Sequence, residues 1–212
     1  MKWALIVALF LLEFPLSDTA VREAYFLGQR HDQKTSDFLK LYTKSFPLPD
    51  KGPFISEIHL LTPYAQVVVD SSRHSTGYSA QQALADYLRR GDTLLVQIVI
   101  ELTPTYSYND AVRSASDAAI ELNRHLEPED FWQGFRFTVS QNDRYFEPRD
   151  VRADPIYGSA SPGDRGPDLR GTIVSLEFEA ASFEPEAGPV QVEVVPPNFN
   201  HVVAKFDPTK LR

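Results

Sequence analysis

The chain has 212 residues, 42% apolar and 24% charged, the make-up of a globular protein with one well-buried core. Its 21 Lys and Arg against 29 Asp and Glu give a net charge of −8, and the densest basic groups, Arg89-Arg90 and Arg144 to Arg152, form no continuous stripe; this argues against a nucleic-acid or anionic-membrane partner. Without cysteine there is no disulfide, thiol nucleophile, thiolate metal site or lipid-modified N-terminal cysteine.

Met1 to Ala20 reads as an export signal or, if it is not cleaved, an N-terminal anchor: Lys2, an apolar block from Trp3 to Leu12, then a more polar end through Pro15, Ser17 and Ala20. The block is short for a membrane span, so membrane contact is expected only through this segment. Val21 to Phe46 lacks proline and repeats apolar residues at Ala24, Leu27, Phe38, Leu41 and Tyr42. It predicts one long helix with a solvated waist at residues 29–37, or two short helices, the second capped by Thr35 or Ser36. Pro47, Pro49, Gly52 and Pro53 supply a linker. The expected organisation is a signal or anchor over 1–20, a helical segment and Pro-rich linker over 21–53, and a β domain over 54–212.

Ile55 to Asp70 reads as strand interrupted at Thr62-Pro63, with Ile58 and Leu60 followed by Ala65, Val67 and Val69 in alternation. Ser71 to Gly77 is a polar turn. Ser79, with Gln82 three residues on, writes a capping box for a helix whose apolar face is Ala83, Leu84, Tyr87 and Leu88; Arg89 and Arg90 fill its last turn and Gly91 stops it. Thr93 to Leu102 is the strongest strand in the chain, with Leu94, Val96, Ile98, Ile100 and Leu102 on one face and Gln97 and Glu101 on the other, and it predicts a central position. Tyr106 to Leu126 is either a helix capped by Asp110 or a surface insertion. Glu127 to Gly134 carries the proline, first-turn acids and terminal glycine of a short helix.

Phe135, Phe137 and Val139 then alternate, residues 141–144 have turn chemistry, and Tyr145 to Arg152 returns as an edge strand. Ala153 to Asp168 is expected to be a mobile loop. Leu169 to Ala181 predicts a second long strand, with Val174, Leu176, Phe178 and Ala180 inward and Ser175, Glu177 and Glu179 outward. Val190, Val192 and Val194, then Val202, Ala204 and Phe206, finish the sheet. Many strands joined by short turns indicate a mainly β fold, an antiparallel β-sandwich that resembles immunoglobulin-like modules in general architecture, with an N-terminal helical segment and one or two short inserted helices. The competing arrangement is an open sheet covered on one face by helices.

Reactive constellations are scarce. His31, His59, His74, His125 and His201 fall at no spacing that places two on one metal, and the strand-turn-helix elbow of a serine nucleophile is missing. Ser79 is better used as a cap. Glu177 and Glu179 stand roughly 7 Å apart on one strand face, a distance open to acid-base work on a sugar and equally ordinary for the solvated side of a sheet. Asp143, Asp150, Asp154, Asp164 and Asp168 are loop carboxylates of the kind calcium uses, without an Asp-x-Asp pattern. Tyr106, Tyr108, Phe131 and Trp132 are the candidate binding residues: gathered at one end of the fold they would form a platform for a sugar ring or a partner protein, and otherwise Phe131 and Trp132 plug the core. No catalytic residue, metal ligand or cofactor is assigned. The expectation is an exported protein, periplasmic or extracellular, with a non-enzymatic binding or structural role towards an envelope protein or a polysaccharide; the alternatives are a carboxylate-based glycan hydrolase and a calcium-dependent adhesion module.

Overall fold

The computed structural model describes residues 14–74, 76–103, 116–120, 127–158, 168–197 and 201–212. Two antiparallel sheets and several helices make up the fold. The first sheet holds β1 (Thr43–Ser45), β2 (Pro53–Leu61), β3 (Thr93–Leu102), β6 (Asp150–Gly158) and β7 (Asp168–Glu179) in the order β1-β2-β3-β7-β6. The second holds β4 (Arg136–Gln141), β5 (Arg144–Phe146), β8 (Val190–Val195) and β9 (Val202–Phe206) in the order β5-β4-β8-β9.

The alternation in Thr93–Leu102 sets this arrangement. Ile98 lies between Ile58 of β2 and Val174 of β7, and Val96 between Leu60 and Leu176. Ile58, Val96, Ile98 and Val174 are 0% exposed. Val139, Val192, Val194, Ala204 and Phe206 from the second sheet belong to the same apolar cluster, so the two sheets share one core. At the β4–β5 turn Asn142 and Asp143 take φ of 49° and 61°, the left-handed pair that a two-residue hairpin connection needs.

Among the described residues four helices precede β3. α1 (Asp18–Gln29) is capped by Ser17, whose side chain accepts from the Ala20 amide. α2 (Gln33–Lys40) is capped by Asp32, which accepts from the amides of Lys34 and Thr35. α3 (Pro63–Arg73) and α4 (Ala80–Arg90) fill the connection between β2 and β3 and pack with α1 around a second cluster that includes Val21, Ala24, Val67, Val68, Ala83 and Tyr87. Gly28 is what lets α1 approach α3: a Cβ there would lie 2.4 Å from the Val68 carbonyl oxygen.

Several expectations are corrected. Ala65, Val67 and Val69 are helical, because Thr62 caps and Pro63 starts α3, and a helix buries Val67 and Val68 together where a strand would separate them. Ser71 to Arg73 therefore closes a helix and is no turn. The cap of the second helix is Asp32; Thr35 is buried, and its hydroxyl donates to the Leu27 carbonyl at 2.6 Å. The helical stretch ends at Lys40, and Thr43–Ser45 pairs with β2. Leu88 is 68% exposed, outside the apolar face. Ala153 to Gly158 continues β6, since its backbone pairs along β7 as far as Asp168; residues 159–167 lie outside the described residues. The predicted short helix at Glu127 is a 3-10 helix, Pro128–Gly134. The capping box of α4 and the positive-φ Gly91 stop are present as expected. Of Tyr106 to Leu126 only 116–120 is described; it is helical, with Ala118 buried and Ile120 exposed.

Candidate functional site

The first sheet buries one face in the core and turns the other towards α3 and α4. On that outer face the register lines up Thr43, His59, Gln97, Ser175 and Arg152 across the five strands. These residues bond to one another and to their strand neighbours. Thr43 Oγ1 and His59 Nδ1 are 2.9 Å apart, His59 Nε2 lies 3.1 Å from Glu57 Oε2, and Gln97 Nε2 donates to Ser175 Oγ at 3.3 Å. Burial holds the His59 imidazole below its ordinary pKa, with Glu57 pulling the other way. One row further, Leu61, Leu95, Glu177 and Asp150 are neighbours.

The opposite wall is helical. Gln66 of α3 is buried and donates from Nε2 to the Leu61 carbonyl at 3.0 Å and the Thr93 carbonyl at 2.6 Å, fixing the helix to the ends of β2 and β3. That attachment places Asp70 one turn along, where it meets Arg90 of α4: Nη1 to Oδ2 is 2.6 Å. Arg89 pairs with Asp86 at 3.0 Å, and Asp86 also accepts from the Tyr78 hydroxyl at 3.0 Å. Burial, reinforced by Asp86, raises the pKa of the Tyr78 phenol.

Between the walls lies a cleft of about 600 Å³. Leu95 is part of its lining, Arg89 and Arg90 come from the helices, and Arg149, Arg152 and Glu177 from the sheet side. Glu177 is engaged by Arg152 Nη2 at 3.4 Å and Arg149 Nε at 3.8 Å, and Arg152 Nε also reaches Asp150 at 3.0 Å. The two densest basic groups of the sequence thus supply guanidinium groups to one cleft. Two atoms stand out there: Arg90 Nε and Nη2 are shielded from water and have no hydrogen-bond partner among the described residues. A smaller recess of about 340 Å³ is bounded by Phe46, Pro47, Pro53, Phe54, Pro196 and Val202, and its described side chains are all apolar.

The residues singled out from the sequence are distributed differently. Phe131 is 1% exposed and belongs to the core, and Trp132 is half-buried against it with Phe137 at 6.4 Å between ring centres. Tyr106 and Tyr108 lie outside the described residues, so the proposed platform is not assembled from described side chains. Glu177 faces arginines while Glu179 is exposed at the end of β7. Asp143 is in the β4–β5 turn of one sheet and Asp150 and Asp154 are on β6 of the other; Asp164 and the Asp168 side chain lie outside what is described. Among the described residues no group of three or more His, Asp or Glu is placed to hold a metal ion. His31 is exposed, His74 stacks on Tyr78 at 4.4 Å, His201 is exposed, and His125 is outside the described residues. Sequence reasoning missed Gln66 and Asp70, which were hidden by reading α3 as strand; Thr62-Pro63, a cap followed by a first-turn proline, was the available signal.

Among the described residues no helix is long and apolar enough to cross a membrane. The chain matches no protein-family model, no curated protein and no solved structure.

Proposed function

We propose that this chain is an exported, non-enzymatic binding protein of the periplasm or extracellular space, a β-sandwich of immunoglobulin-like general layout that recognises an envelope polysaccharide in its charged cleft. The observation that carries the reading is the cleft itself. Guanidinium and carboxylate groups are paired along its lining, and such donors and acceptors match a ligand rich in hydroxyl groups better than they match an apolar molecule. The arginines around Glu177 support binding over hydrolysis, because they engage both of its oxygens on the sheet side of the cleft. Export rests on the apolar block from Trp3 to Leu12.

The position of α1 sharpens the export reading. The bond after Ala20 falls in the first turn of α1, with Ala20 and Val21 both buried, and the Leu16 amide donates to the Tyr87 hydroxyl at 2.7 Å. Processing ahead of Leu16 keeps these contacts, so the mass of the secreted chain should place its first residue at or before position 16. Ligand-observed NMR with a panel of neutral and acidic envelope oligosaccharides should show saturable binding of at least one. Binding of none removes the polysaccharide reading, and release of reducing sugar that disappears in Glu177→Gln/Glu179→Gln would install the hydrolase instead.

A further inference from the structure

Arg90 differs from the other arginines of the cleft. One nitrogen, Nη1, is taken by Asp70, whereas Nε and Nη2 are the unpartnered pair. Those two nitrogens form one edge of the guanidinium plane, and two parallel N–H bonds from such an edge fit two oxygens of a carboxylate or of a phosphate. A buried donor pair without an acceptor costs stability unless something completes it. The lining also carries four guanidinium groups against three carboxylates, in a chain whose overall charge is −8. Arg149 and Arg152 are 55% and 63% exposed, so a ligand reaches them without rearrangement of the fold.

We infer that the cleft takes the anionic group of an acidic sugar, a carboxylate or a phosphate ester, on the Nε and Nη2 edge of Arg90, with Arg149 and Arg152 neutralising it from the facing wall. This rests on the reading of the cleft as a glycan site and names what the glycan must carry. Because the edge is covered, binding includes a turn of the Arg90 side chain that keeps Asp70 within reach. Asp70 and Asp86 then accept from ring hydroxyls, which gives the mixed lining a use that an inorganic ion would leave idle.

Titration calorimetry of the full chain with trigalacturonate, glucose 1-phosphate and maltotriose tests this. At least one of the two acidic probes should bind saturably and maltotriose should not, and the acidic probe that binds identifies the source of the charge. Affinity should fall as salt is raised, since exposed Arg149 and Arg152 are screened. Arg90→Lys leaves a cation beside Asp70 but removes the planar edge, and it should weaken binding roughly tenfold or more, the equivalent of one charge-assisted hydrogen bond. Arg149→Ala/Arg152→Ala changes only exposed side chains and should weaken it as well; it serves as the check should the lysine variant melt early. Equal binding of maltotriose overturns the anion while leaving a glycan site in place. Binding of no probe overturns both readings, and acidic binding unchanged in both variants overturns the location.

Discussion

The two-sheet core and the helical cluster bury similar side chains by different means. In the sheets, burial follows the strand period: Leu94, Val96, Ile98 and Ile100 are at most 2% exposed while Leu95, Gln97 and Val99 between them are half-buried. The helical cluster draws on three separated segments, 18–29, 63–73 and 80–90, and its contacts rely on small residues such as Ala20, Ala24, Gly28 and Ala83. It is joined to the sheets by Ala65, Phe38 and Val69, which pack in or against the sheet core, and by polar bonds. Gln66 holds β2 and β3, Tyr42 and Thr62 both donate to the Arg212 carbonyl, and the Arg212 guanidinium reaches Glu23 at 2.5 Å and lies 4.3 Å from the centre of the Tyr64 ring. Apolar burial therefore holds the sheets together, and the helices are held to them by a narrower apolar seam at Ala65, Phe38 and Val69 together with these long-range polar contacts.

The largest effect should come from the middle of the sheet core. Ile98→Ala leaves a cavity between Ile58 and Val174 and should cost about 3–4 kcal/mol, read as a drop in the urea midpoint, whereas Gln97→Ala on the outer face should cost about 1 kcal/mol or less. Equal costs on the two faces would break the distinction between them. Next comes the helix contact. Gly28→Ala drives a Cβ to 2.4 Å from the Val68 carbonyl oxygen and 2.8 Å from Ser71 Cβ, overpacking that should cost about 1–3 kcal/mol. Hydrogen exchange should show the amides of α1 and α3 opening ahead of those of β3 and β7; loss of protection in all four together would make the cluster and the sheets one cooperative unit.

How much was legible in the sequence follows the same division. Strands β3, β7 and β8 could be read because their alternation is local and their inward residues are apolar, with Thr172 of β7 an exception. The capping box at Ser79 could be read for the same reason, since the four residues from Ser79 to Gln82 contain it. α3 could not be read by periodicity, because PYAQVVVD satisfies both periods when a helix is buried on most of its surface. β1 is three residues long and exists only because β2 lies beside it. The cleft was half legible. Arg89-Arg90 and Arg144 to Arg152 stood out as basic groups, but nothing local says that a helix end and an edge strand will line the same recess, and Asp70 was placed on the wrong kind of element.

A middle-sized effect concerns the polar joint at Tyr87. Its hydroxyl accepts from the Leu16 amide and donates to Asp92, and Tyr87→Phe should cost about 1–2 kcal/mol. The phenol also gives the joint a pH dependence. Burial, then the bond to Asp92, pushes the Tyr87 pKa up to about 12, and burial raises Tyr42 to about 12 as well. A folded pKa above the unfolded value of about 10 means the folded chain holds these protons more tightly, so the contribution is complete below pH 10 and fades as pH climbs towards 12. Melting temperatures between pH 9 and 12 should fall less steeply for Tyr87→Phe than for the parent chain. Parallel curves would mean that Asp92 does not hold the proton on Tyr87.

The smallest effect separates two opposing forces on His59. The Thr43 hydroxyl has one proton and two acceptors, His59 Nδ1 at 2.9 Å and the Leu39 carbonyl at 3.2 Å. With a charged imidazole, Nδ1–H donates to Thr43, Nε2–H donates to Glu57, and the hydroxyl goes to Leu39, so every partner is satisfied. With a neutral one, Nε2–H still serves Glu57 but Thr43 must choose. Hydrogen bonding thus favours the cation, and desolvation between the strands, helped by Arg73, disfavours it; desolvation is the larger, and the pKa is lowered. A depressed histidine contributes stability above its unfolded pKa of about 6.5, and the contribution is lost as pH falls through the folded value. The parent chain should therefore lose stability below pH 6.5 in a way that His59→Gln does not. An NMR titration of the His59 ring with its midpoint above 6.5 would reverse the order of the two forces and make Glu57 the stronger neighbour.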